Sequence, residues 1–305
     1  MKPATMRYFD AIHAQLDAID VWNSDTGDRI AAEVKRVRLE MEGMSPSLAD
    51  IKKMSVHLLE RAEPYFLDGV IQEWIMDSLD SFPSDICMGD VLPPSRMGWM
   101  LFERPISAFR DKDPVLYGTT ELHNWTALAW STVDRMVGQE GNREFPVVAL
   151  DYYHRTDTGY LVLGSSQTWP FHERLHWWKE ATPQPDRTMQ HTFVISLFAF
   201  MNQPFSTVES HRLPRSSRRR LQRETGIEDP MINVISLRRA QHTNGQSKGG
   251  TREWSSRWLV KGHWRSQYYP SKQKNSPLWI MPYVKGPQDK PLKSRNGIAL
   301  FHVTR

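Results

Sequence analysis

Apolar residues recur at helical spacing over the first eighty positions. Met6, Phe9, Ile12, Leu16 and Ile19 mark one helix, and Ile30, Val34, Val37 and Met41 mark a second that opens near Asp28 and stops at Gly43. Ser45-Pro46-Ser47 opens a third, with Leu48, Ile51, Met54 and Leu58 inward, and Asp68 to Leu79 gives a fourth. Core packing accounts for all four stripes. Ser81 to Arg96, rich in Pro, Asp and Gly, is a connector. The period then shortens. Gly98 to Glu103, Trp125 to Trp130, Phe145 to Tyr153 and Tyr160 to Leu163 read as strands, and Thr156-Asp157-Thr158-Gly159 reads as a hairpin turn. Pro170 suits the first position of a helix, and a further helix runs from Arg187 to Met201. Ile232 to Leu237, Glu253 to Tyr269, Leu278 to Tyr283 and Ile298 to Val303 make a strand-rich end, interrupted by a polar loop over Ala240 to Gly250. The expected fold is α+β: a helical N-terminal region followed by a mainly antiparallel β-sheet region with interspersed helices. It divides into an acidic helical region, 1–80, and an α+β domain, 91–305, whose basic, tryptophan-rich sheet occupies 205–305.

Charge sharpens this division. The net charge of +4 conceals 20 Lys and Arg against 6 Asp and Glu in residues 205–305, and 19 against 29 in residues 1–204. Such asymmetry points to a polyanionic partner for the basic half, or to mutual attraction of the two halves. The single cysteine, Cys87, excludes an intrachain disulfide and a cysteine-based zinc cluster and suits a reducing, cytoplasmic setting. Met1 to Asp20 lacks a signal-peptide pattern, and the longest apolar run, Phe193 to Met201, is too short to cross a bilayer, so no membrane association is expected. The twelve tryptophans fit either a binding surface or a core.

Two basic elements are candidates for nucleic-acid contact. If Glu253 to Gln267 is one strand, alternation puts Trp254, Trp258, Val260 and Trp264 on one face, and Arg257, Lys261, His263, Arg265 and Gln267 on the other. Cations spaced along a strand neutralise successive phosphates, and His263 and Gln267 add hydrogen bonds to sugars or bases. The solvated outer face of an antiparallel sheet explains the same pattern without a ligand. The second element is Arg212 to Arg223. If helical, it carries Arg215, Arg219 and Arg223 on one face with Arg220 near them, again a phosphate-binding pattern or a solvated one. No helix-turn-helix, zinc-finger or RNP pattern surrounds either element.

Two rival chemistries are legible. His172-Glu173-Arg174-Leu175-His176 has the H-E-x-x-H form of zinc peptidases, in which both histidines ligate Zn and Glu173 activates water. Glu180, His191, Glu209 and His211 are candidate third ligands. Arg174 puts a cation inside the motif, and an amphipathic helix with surface histidines explains it equally. The other rival is a metal-independent ribonuclease-type toxin. There His263 is the general acid or base, Arg265 and Lys285 steady the phosphate, and Tyr268, Tyr269 and Ser271 position RNA. His302 is the only other histidine nearby in sequence. Phosphate-loop, dinucleotide and serine-hydrolase motifs are absent.

Leu259 to Ser271, with its Gly262-His263-Trp264-Arg265-Ser266-Gln267 core, and Trp279 to Pro287 form one distinctive pair of stretches. Leu92 to Gly98 leading into Phe102-Glu103-Arg104-Pro105 forms another. Together they resemble a family of uncharacterised proteins of actinobacteria and their phages and plasmids, over about the last two thirds of the chain. The resemblance implies a mobile-element or intracellular setting and no chemistry. The leading expectation is therefore a cofactor-free nucleic-acid-binding protein that grips phosphates through its basic C-terminal half. Its N-terminal helices are left for self-association or a protein partner.

Overall fold

The computed structural model describes residues 4–42, 47–106, 124–137, 144–172, 185–237, 254–287 and 289–292. Six α-helices are formed among them: α1 (Ala4–Asn23), α2 (Asp25–Glu42), α3 (Leu48–Arg61), α4 (Gly69–Asp77), α5 (Pro185–Met201) and α6 (Arg215–Thr225). Ser47 opens α3 with a capping box: its hydroxyl accepts the Asp50 N–H, and the Asp50 carboxylate accepts the Ser47 N–H. Asp68 caps α4 by accepting the Val70 N–H. Both starts follow from side chains that satisfy otherwise orphaned amides.

A seven-stranded mixed sheet forms the centre of the fold. Its strands are β1 (Glu63–Leu67), β2 (Met97–Ile106), β3 (Trp125–Val137), β4 (Glu144–Arg155), β5 (Leu161–Pro170), β6 (Ser206–Arg212) and β7 (Met231–Leu237), in the order β5-β4-β3-β2-β1-β7-β6. β1 runs parallel to β2 and β7, and the other neighbours are antiparallel, so the chain is an α+β protein. Thr156 to Tyr160 turns the β4–β5 hairpin, and Gly159 supplies a φ of 90° there.

β1 lies inside the expected helical region 1–80, in the gap between its third and fourth helices. Its short run Tyr65-Phe66-Leu67 is buried on both faces, as a parallel central strand must be, and so shows no alternation. The first eighty residues thus supply a central strand, with β7 beside it and β6 beyond in the same sheet. β6, at the sheet edge, was also not legible in the sequence.

Each face of the sheet carries its own core. On one, α1, α2, α3 and α6 cover Phe66, Trp99, Leu101, Ala127, Ala129 and Ile232. On the other, α4 and α5 cover Tyr65, Leu67, Met100, Phe102, Leu128 and Trp130. From Gln190 to Met201, α5 is buried on every side. Seven of the ten tryptophans among the described residues are buried, so most of these serve the interior. No helix among the described residues is long and apolar enough to cross a membrane.

Two small two-stranded sheets complete the described chain. β8 (Trp258–Val260) pairs with β11 (Tyr283–Lys285), and β9 (His263–Tyr269) pairs with β10 (Lys274–Ile280). The expected single strand from Glu253 to Tyr269 is therefore corrected: it breaks at Lys261-Gly262, and its halves pair with different partners. The break coincides with a close approach. A Cβ on Gly262 would lie 2.5 Å from Cζ2 of Trp279.

Candidate nucleic-acid interface

The arginine-rich segment is helical from Arg215, as its spacing allowed, while Arg212 ends β6. Pro214 precedes it, and Gly226 ends it in the left-handed conformation, donating to the Gln222 carbonyl. Leu221 anchors α6 in the core beside Leu213 and Ile232. Around that anchor the arginines divide into two sets. Arg212 and Arg218 both bind Asp229, which they hold below the usual carboxylate range, the Arg212 hydrogen bond first. Arg220 bonds Glu224 at 2.8 Å and lies over the Phe9 ring, while His13 of α1 stands 3.4 Å from the same Glu224. These contacts dock α6 on α1.

Arg215, Arg219 and Arg223 form the second set. All three are exposed on one helix face, and none has a carboxylate partner among the described residues. Arg223 donates to the Arg219 carbonyl, 3.2 Å away, and lies in the field of the neighbouring Glu224, whose carboxylate is taken first by Arg220. The spacing of four residues puts successive side chains about 6 Å apart along the axis.

The C-terminal element is more fully engaged with the body of the protein. Lys261 bonds Asp77 at 3.2 Å, and Lys274 bonds Asp90 at 2.6 Å. Burial raises the Asp90 pKa, but hydrogen bonds from Lys274 and Cys87 outweigh it and leave the carboxyl below its ordinary value. Attraction between the acidic and basic halves is thus realised at two points. Trp264 and Trp279 pack edge to face, 5.2 Å between centroids, and both meet Phe200 of α5. Of the expected tryptophan face, Trp264 is 3% exposed, Trp258 and Val260 are half-buried, and Trp254 is 37% exposed.

The outward face of β9 carries His263, Arg265, Gln267 and Tyr269. Arg265 is exposed and without a carboxylate partner among the described residues, as is Lys285 on β11. Lys272 lies over the Tyr269 ring at 5.8 Å. Arg257 donates to the Lys290 carbonyl at 2.8 Å and retains its charge, and Gln267 donates to the Tyr268 carbonyl. His263 Nδ1 lies 3.0 Å from the Lys261 carbonyl, so it carries the proton and leaves Nε2 as the acceptor of the neutral ring. The nuclease candidates are only partly gathered: His263 and Arg265 share a strand face, Lys285 belongs to the other small sheet, and His302 lies outside the described residues.

Of the H-E-x-x-H motif only His172 lies among the described residues. β5 continues to Pro170, and Phe171 and His172 form a turn, with the Phe171 N–H donating to the Pro146 carbonyl. The expected helix opening at Pro170 is corrected accordingly, because Pro170 pairs with Val147 at the end of a strand. Glu173, Arg174, His176 and Glu180 lie outside the described residues. Of the other candidates, His191 is buried against Gln167 and Trp169, and His211 and Glu209 stand 3.6 Å apart on β6. Among the described residues, no group of three or more His, Cys, Asp or Glu is placed to hold a metal ion.

The two basic elements do not converge. α6 belongs to the core on one face of the seven-stranded sheet, and Trp264 and Trp279 belong to the core on the other. No family model, curated protein or solved structure matches the chain.

Proposed function

We propose that the protein binds nucleic acid, with the Arg215–Arg219–Arg223 row of α6 as its principal phosphate contact and the Arg265 surface of β9 as a second. One observation carries the reading. Arg212 and Arg218 share Asp229 and Arg220 bonds Glu224, whereas the three arginines of the row are exposed and form no ion pair with a carboxylate among the described residues. A folded protein has no stability reason to align three like charges at i, i+4 and i+8, since such pairs repel. A phosphate backbone supplies the missing anions, and releasing its counterions drives association.

The C-terminal surface takes a smaller share than its lysine content suggests, because Lys261 and Lys274 are committed to Asp77 and Asp90. Arg265, Lys272 and Lys285 remain, together with the half-buried Tyr269 ring, a platform suited to base stacking.

The test is fluorescence anisotropy of labelled single-stranded and duplex oligonucleotides, titrated with the protein at several salt concentrations. Affinity that falls linearly in log–log form with salt supports the reading. Absence of salt-dependent binding to either oligonucleotide overturns it.

A further inference from the structure

We infer that the protein holds two separate segments of nucleic acid at once, one on each face of the central sheet, and so bridges them. This rests on the binding function proposed above and adds a geometry to it. The α6 row projects from the layer that covers Phe66, Trp99 and Ile232. The β9 surface projects from the layer built on Phe200, Trp264 and Trp279, on the opposite side of the sheet. Packed layers are spaced by about 10 Å, so two layers and the sheet between them separate the surfaces by at least about 20 Å.

The C-terminal sheets are not free to swing towards α6. Lys261–Asp77, Lys274–Asp90, the Trp264 N–H on the Ser81 hydroxyl and the Gln203 amide on β10 hold them to the body. A duplex is stiff over about 150 base pairs and does not fold around a body of this size without a large bending cost. Each surface must therefore take its own stretch of duplex. Each also has its own exposed cations that form no ion pair among the described residues: Arg215, Arg219 and Arg223 on one side, Arg265 and Lys285 on the other.

The experiment immobilises one duplex on beads, adds the full-length protein, washes, and measures retention of a second, fluorescent duplex of unrelated sequence. Wild-type protein should raise retention at least about tenfold over beads without protein, and the effect should vanish at high salt. Arg215→Ala/Arg219→Ala/Arg223→Ala and Arg265→Ala/Lys272→Ala/Lys285→Ala should each bind the immobilised duplex, more weakly, yet capture no second one. Thermal unfolding checks that both variants remain folded. Wild-type protein that binds the beads but captures nothing leaves the binding function standing and overturns bridging. Unchanged capture by the β9/β11 variant also overturns it, by showing that bridging comes from self-association through α6 alone. No retention of the protein on the beads overturns both.

Discussion

Gln203 Oε1 accepts the backbone N–H of Trp279 at 3.0 Å, while its Nε2 donates to the Pro277 carbonyl at 3.1 Å and the Ala199 carbonyl at 2.9 Å. A single buried amide just beyond α5 thus acts as the missing neighbour strand of β10. Gln203→Ala takes this partner from one donor, the Trp279 N–H, and from two acceptors, the Pro277 and Ala199 carbonyls, which should cost about 2–4 kcal/mol. The expected result is a lower urea midpoint, with faster hydrogen exchange at Trp279 than at β3 or β4. A midpoint within error of wild type would show that β10 does not depend on this clasp.

Gly262 faces the Trp279 indole so closely that a Cβ there needs Cζ2 to move. Trp279 is itself wedged between Trp264 and Phe200 and has little room. Gly262→Ala should therefore destabilise the protein by about 1–3 kcal/mol through overpacking. Gly159→Ala is a useful contrast: it meets no neighbouring atom within 4 Å, and only its positive φ opposes the substitution. Thermal melts of the two variants separate packing from backbone strain.

Asp90 carries a pH signature. Its folded-state pKa is depressed, so folding favours the ionised carboxylate, and the stabilisation is fully present above the unfolded value of about 3.9. It is lost as pH falls through the lower folded value. Lys274 is shifted upward, first by its hydrogen bond to Asp90, so its share persists below about 10.4 and disappears above the raised folded value. The stability difference between wild type and Asp90→Asn should accordingly be flat through neutral pH and shrink on the acid side below about 4. A difference that instead grows on acidification would mean that the pair does not stabilise the fold.

The α6 row predicts a salt slope. Replacing Arg215, Arg219 and Arg223 with Ala removes up to three phosphate contacts, which lowers the slope of log affinity against log salt by about 2–3 for duplex DNA. Arg218→Ala removes a cation already bound to Asp229 and should leave that slope nearly unchanged. Equal slopes for the two variants would take the row out of the interface.

Much of the local structure was legible from spacing. Helical periodicity located α1 to α3, Ser47 and Asp68 marked the starts of α3 and α4, and the four-residue step of Arg215, Arg219 and Arg223 put them on one helix face wherever that helix packed. The turn at Thr156–Gly159 was equally plain, because its residue types meet a local backbone demand. β1 was not legible: a five-residue strand buried on both faces has no alternation to read. The extension of β5 to Pro170 was hidden by a proline whose usual place is a helix start, although at a strand end its missing N–H costs little.

What the sequence determined by itself was the inventory: an α+β chain, two basic elements, and the facial arrangement of their cations. What only the tertiary structure decided was which cations remain available and where they point. Asp229 engages Arg212 and Arg218, Glu224 engages Arg220, Asp77 and Asp90 engage two lysines, and the parallel pairing of β1 with β2 and β7 builds one sheet whose faces carry α6 and β9 on opposite sides. Arg220–Glu224 is an i, i+4 pair within one helix, but the Lys261–Asp77 and Lys274–Asp90 contacts join residues 184 positions apart, and no local periodicity encodes those, because they arise from the burial of two separate cores.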